Sequence, residues 1–159
     1  GAGGASDEGA PGEVSSVVYD VAALVAPQKA LKEVELELDV HPDLPLVPMS
    51  REHLAQVLLN LVLNAADAVG SGGRVRVAAE PSERGVRLSV EDDGPGVDEA
   101  ILGRLFEPFA TTKEVGKGTG LGLAVCRGLV EAAGGSIALD VAHRPGARFV
   151  VDLPRSPEK

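Results

Sequence analysis

Apolar and polar positions change period several times along this chain, and each change marks an element. From Val14 to Leu31, Val17, Val18, Val21, Leu24 and Val25 recur at helical spacing, and Pro27 kinks or ends that helix. Val34 to Val40 alternates strictly, as a half-buried strand does. Pro42, Pro45 and Pro48 mark a loop. Ser50 is a good N-cap for a long helix ending near Gly70, with Leu54, Leu58, Leu61, Ala65 and Val69 toward the core. Two strands follow, Arg74 to Glu80 and Arg84 to Asp92, joined by a short polar turn. Asp98 to Leu105 reads as a short helix, and a second long helix runs from about Gly120 to Ala133 until Gly134-Gly135 breaks it. Ile137, Leu139 and Val141 share one strand face, and Phe149, Val151 and Leu153 share another, with Pro145-Gly146 in the turn between. Alternating strands need one covered face, and helices on that face supply the cover. The fold expected is a two-layer α/β sandwich: a mixed five-stranded sheet with about three helices on one side.

Composition narrows the partners. The chain has 159 residues, enough for one domain with a sizeable core, and a net charge of −9, which argues against nucleic acid. A single cysteine, Cys126, allows no internal disulfide and suggests an intracellular protein. No apolar run approaches the roughly 18 residues of a membrane span, so direct membrane contact is not expected. The chain opens on Gly1 and its only methionine is Met49, which reads as a piece of something longer. Residues 1–13, GAGGASDEGAPGE, read as tag remnant or disordered linker, 14–155 as the domain and 156–159 as a frayed tail.

The chemistry concentrates in three places. Phe106 to Leu123, FEPFATTKEVGKGTGLGL, alternates Gly116, Gly118, Gly120 and Gly122 before a helix, and a glycine loop entering a helix offers backbone N–H groups to phosphate. It is neither a P-loop, since Gly118 follows Lys117, nor a dinucleotide fingerprint, since Thr111 to Glu114 is no strand. Lys113 and Lys117 flank the loop and could screen a γ-phosphate, while Phe106 and Phe109 bracket Pro108 and pin the loop to the body. In the first long helix, Gln56, Asn60, Asn64 and Asp67 form one polar stripe. Asparagine is a poor helix former, and its amide oxygen suits a hard cation such as Mg²⁺. Strand alternation puts Asp92 on the covered side beside Gly94-Pro95-Gly96, where a carboxylate can accept from the amino group of adenine and repel the carbonyl of guanine. His41, His53 and His143 lack metal-ligand spacing and read as surface residues, and Cys126 reads as a buried helix residue.

Together these boxes resemble the catalytic, ATP-binding domain of bacterial sensor histidine kinases, in the GHKL ATPase superfamily. Asn60-Leu61-Val62-Leu63-Asn64-Ala65 is similar to the asparagine box, Asp92 to Gly96 to the first glycine box and Phe106 to Phe109 to the phenylalanine box. Gly116 to Gly122 is similar to the second glycine box, and Gly134 to Ile137 with Gly146 to Pro154 to the family's ending. The wording FEPFATTK, with Asn64 followed by AADA, looks most like the nitrogen-regulation type. The resemblance implies that Asn64 binds the Mg²⁺ bridging the ATP phosphates and that Asn60 assists there. It implies adenine recognition by Asp92, a pocket shaped by Gly94 and Gly96, and phosphate contacts from Gly118, Thr119, Gly120, Leu121 and Gly122 at the base of an ATP lid. Phe109, Thr112, Lys113, Lys117 and Asp67 complete the nucleotide-binding set, with Asn64 and Lys113 as catalytic candidates. The lid, about Ala110 to Gly118, is expected to be mobile without nucleotide.

Departures from the family are informative. Asp67 and Ala68 stand where many members carry a basic residue and an aromatic, and Lys113 is the candidate replacement. Ala147 stands where a threonine often holds an adenine-linked water. No histidine begins a phosphoacceptor box, so the dimerisation domain and the response regulator are outside partners. The fragment is expected to be a monomer in a cytoplasmic region, and the parent a homodimer. Two other functions share these boxes. An ATP-hydrolysing clamp needs a glutamate where Asn60 stands, and an amide is no base. An anti-sigma-type serine kinase shares the asparagine and aspartate boxes, but the phenylalanine box and Leu153-Pro154 favour the histidine kinase.

Overall fold

The computed structural model describes residues 12–97, 105–107, 122–143 and 145–157. Helix α1 spans Val14–Val25, and a single 3-10 turn at Lys29–Leu31 follows Pro27. Strand β1 is Glu35–Val40. Helix α2, Arg51–Val69, begins at Ser50, whose hydroxyl accepts from His53 N, the cap bond expected of a serine there. Strands β2, Arg74–Pro81, and β3, Gly85–Asp92, form a hairpin. Helix α3 is described over Gly122–Ala132, and β4, Ser136–Leu139, and β5, Arg148–Pro154, complete the chain.

The five strands lie in the order β1-β2-β3-β5-β4. β1 runs parallel to β2, and the other neighbours are antiparallel. Register follows alternation, with Leu36 opposite Val75, Val77 opposite Val90 and Leu88 opposite Val151. Those residues turn toward the helices and, with Val57, Leu58, Leu61 and Val62 of α2 and Val17, Val18 and Val21 of α1, make one continuous core. α2 lies on β2 and β3, with α1 and α3 against its flanks. The two-layer sandwich with a mixed five-stranded sheet and helices on one face is therefore what the chain forms.

The other sheet face is charged. Arg76 pairs with Asp39 and Glu91, Arg87 with Asp152, and Arg148 with Asp140 and Glu91. Exposed pairs of this kind contribute little each, about 0–1 kcal/mol. Ser89 lies buried beside Arg76, Arg87 and Arg148.

The folded unit reaches slightly past both sequence boundaries. Gly12 pairs by two backbone bonds with Val47, and Ser156 N donates to Leu46 O at 2.7 Å. The β4 strand is shorter than its alternation suggested. At Asp140 the chain turns, the carboxylate accepts from Ala142 N at 3.1 Å, and Val141 ends up 65% exposed instead of facing with Ile137 and Leu139. The expected helix at 98–105, apart from the buried Leu105, lies outside the described residues, as do residues 1–11.

Candidate nucleotide site

Three elements carry the candidate residues: α2 meets the end of β3 near Ala68 and meets α3 near Asn60. β3 delivers Asp92 on its covered face, and the side chain is 7% exposed. Among the described residues its carboxylate accepts two hydrogen bonds, both on Oδ1, from Gly94 N at 2.9 Å and Ala147 N at 3.3 Å. Burial pushes the Asp92 carboxyl up from the ordinary aspartate range, and the two backbone bonds oppose that shift.

Glycines make this arrangement possible. Gly146 has φ 83°, and a Cβ there would overlap the Asp92 carbonyl oxygen and stand 2.8 Å from Oδ1. No other residue lets the β4–β5 turn lie against Asp92 so closely. At Gly94 a Cβ would stand 3.2 Å from Ala68 O and 3.2 Å from Asp92 Oδ1, so the Asp92–Gly94 turn rests on the C-terminal end of α2. Gly96 has φ 86° and faces the Gly146 carbonyl.

The polar stripe of α2 divides. Gln56 and Asp67 are exposed, whereas Asn60 and Asn64 are half-buried. From Ala68, beside the Gly94 turn, Asn64 stands about 6 Å and Asn60 about 12 Å back along the helix axis. Asn60 meets α3: its Nδ2 lies 3.7 Å from Cys126 Sγ, and its Cγ would be 3.9 Å from a Cβ at Gly122. Cys126 is fully buried, and burial pushes its thiol up to about 11. Among the described residues no three His, Cys, Asp or Glu side chains cluster to hold a metal by themselves. A Mg²⁺ ion at Asn64 would therefore take its other ligands from phosphate and water, which is how Mg²⁺ is usually held.

Phe106 stacks edge-on to Phe149 of β5, with centroids 6.1 Å apart, and so anchors the phenylalanine box to the sheet. Phe109, Thr112, Lys113, Lys117, Gly118, Thr119, Gly120 and Leu121, with the expected lid, lie outside the described residues. Gly122 opens α3.

Three participants escaped sequence reasoning. Ala147, noted in the sequence only for its missing side-chain contact, bonds Asp92 through both its backbone N and its O. Cys126 was expected to be buried, but its contact with Asn60 was not. His143, expected on the surface, is half-buried with Nε2 3.7 Å from Glu91 Oε2. With Arg74, Arg76, Asp92 and Asp93 it lines a cavity of about 390 Å³. Glu37 and Glu91 of the charged sheet face also border it, and neither asparagine lines it.

Residues 49–157 match the family described as histidine kinase-, DNA gyrase B-, and HSP90-like ATPases. The chain belongs to that family. Among its relatives, the sensor histidine kinase ZraS of Escherichia coli O157:H7 is 38% identical over 142 residues, 89% of this chain. The chain spans 31% of the length of that relative. The nucleotide-free catalytic domain of the histidine kinase ThkA superposes with a TM-score of 0.80 at 30% identity, covering 92% of this chain and 95% of that one. Full-length ShkA in complex with AMPPNP gives 0.77 at 32% identity over 94% of this chain and 32% of its own. ThkA has also been solved in complex with the response regulator TrrA, where it matches with a TM-score of 0.78 at 30% identity, covering 94% of this chain and 42% of that one. The chain is thus an ATP-binding catalytic domain of the sensor histidine kinase kind.

Proposed function

We propose that residues 14–155 hold Mg-ATP and present its γ-phosphoryl group to a histidine on a separate dimerisation domain of the parent kinase. The observation that carries this reading is Asp92, a buried carboxylate fixed on one oxygen by two backbone N–H groups at a glycine turn. A buried acceptor held that way suits the adenine amino group, and a charge-assisted bond of this kind is worth about 1.5–3 kcal/mol. Gly94 and Gly96 let the base approach. Asn64 offers an amide oxygen to Mg²⁺, which supplies charge neutralisation on the phosphates, and Asn60 supports that end. In this reading Lys113 and Lys117 meet the γ-phosphate, and Gly118, Thr119, Gly120, Leu121 and Gly122 hold phosphate by backbone. Phe109 and Thr112 help to seat the lid, and Asp67 stands at the rim. Phosphoryl transfer needs little covalent help from protein, so positioning and electrostatics are the main contributions.

The parent would work as a cytoplasmic-side homodimer that passes the phosphoryl group on to a response regulator aspartate, and the wording FEPFATTK supports reading it as the nitrogen-regulation type. The test supplies the parent's dimerisation domain in trans with γ-labelled ATP. Label that is acid-labile and alkali-stable on that domain is the expected result. Acid-stable label on serine of a partner would favour the anti-sigma type instead, and rapid ATP hydrolysis with no transfer would favour a clamp.

A further inference from the structure

We propose that the Cys126 thiol is a positioning residue for Asn60, turning its amide so that Oδ1 and not the NH2 group faces the phosphate end of the site. The inference rests on the reading that Asn60 and Asn64 mark that end.

The orientation follows from counting protons. Cys126 Sγ lies 3.7 Å from Val57 O and 3.7 Å from Asn60 Nδ2. A carbonyl oxygen brings no proton, so the single thiol proton goes to Val57. The sulfur then has only lone pairs to offer Asn60, and the arm of the amide that meets it must be the nitrogen. The planar amide directs Oδ1 to its other side. Full burial of Cys126 keeps water from competing for either bond. The first turn of α3 closes the arrangement: Gly122 stands one turn before Cys126 and puts no side chain against the Asn60 amide.

Two consequences follow. Asn60 acts as an acceptor, toward water on a hard cation, and not as a donor to phosphate oxygen. The described start of α3 is also tied to the asparagine helix, through Cys126 and Asn60. Moving the start of α3 would release the Asn60 amide.

Cys126→Val is apolar, somewhat larger, and removes both bonds, whereas Cys126→Ser restores a donor and acceptor. Binding of ATP is measured by calorimetry in Mg²⁺ and in EDTA for wild type and both variants. The Val variant should lose about three- to tenfold in Mg-ATP affinity with no change in EDTA, and Ser should recover most of the loss. Equal Mg-ATP affinity in the Val variant and wild type, an equal loss in EDTA, or no recovery with Ser would overturn the proposal. A second readout needs neither a variant nor nucleotide. The Asn60 side-chain NH2 protons, seen by ¹⁵N NMR in the apo protein, should exchange with water more slowly than those of exposed Gln56. Equal exchange would overturn the proposal outright. If wild type fails to bind Mg-ATP, the reading of the site falls, while Asn60 exchange that quickens in Cys126→Val would still establish the thiol contact.

Discussion

At one end of the site a carboxylate is held by backbone, and at the other two amides are held by a helix. Asp92 sits at a strand end, with both hydrogen bonds coming from main-chain N–H groups of turns that glycines allow to close on it. Asn60 and Asn64 project from the middle of α2, and Asn60 is steadied by a side chain of another helix. Backbone cradles have few ways to shift, whereas side-chain contacts adjust. The glycine turns around Asp92 should therefore tolerate almost no added side chain, and the asparagine end should lose function in graded steps.

The largest expected effect is Gly146→Ala. It adds a Cβ at φ 83° where the Asp92 carbonyl already stands. Strain and overlap together should cost about 3 kcal/mol or more, read from the urea midpoint. A variant of wild-type stability would show that the turn can move away and that the cradle is not rigid. Next comes Asn64→Ala, which should weaken Mg-ATP binding by about tenfold while leaving the fold intact, since alanine is the better helix former. An equal loss without Mg²⁺ would place Asn64 on the nucleotide instead of the cation.

A smaller effect concerns pH. Burial raises the Asp92 carboxyl, so between the ordinary and the raised value the folded chain keeps a proton that the unfolded chain releases. Raising pH through that window costs stability, and removing the charge removes the cost. Asp92→Asn should accordingly melt no lower than wild type at neutral pH, and a clearly lower melting temperature would contradict this account of burial. The smallest effect is on the charged sheet face. Arg87 Nε meets Asp152 Oδ1 at 2.9 Å in an exposed pair, and Arg87→Met should change stability by less than about 1 kcal/mol with ATP affinity unaltered.

Local chemistry made much of this legible in the sequence. Alternation in Val86, Leu88, Val90 and Asp92 placed the carboxylate on the covered face, and Ser50 announced the start of α2. What alternation misses is a turn with matching residue types. Val141 continues the apolar period of Ile137 and Leu139, yet Asp140 caps a turn with its own side chain and ends the strand. Long-range pairing is equally invisible. Nothing in the local pattern places β5 between β3 and β4, and so nothing shows that Ala147 will meet Asp92 or that Cys126 will meet Asn60. Asn60 and Asn64 stood out as candidates because two asparagines in mid-helix contradict propensity, which is a signal a single sequence does carry.

The central claim is that Asp92 reads adenine. Calorimetric titration of wild type and Asp92→Asn with ATP and GTP in Mg²⁺ tests it most directly. An asparagine can keep its oxygen on the Gly94 and Ala147 N–H groups, which turns its NH2 toward the base. Wild type should prefer ATP strongly. The variant should lose ATP by about ten- to a hundredfold and shift its preference toward GTP, whose carbonyl can accept from that NH2. Undiminished ATP binding in the variant, or no preference in wild type, would contradict the account.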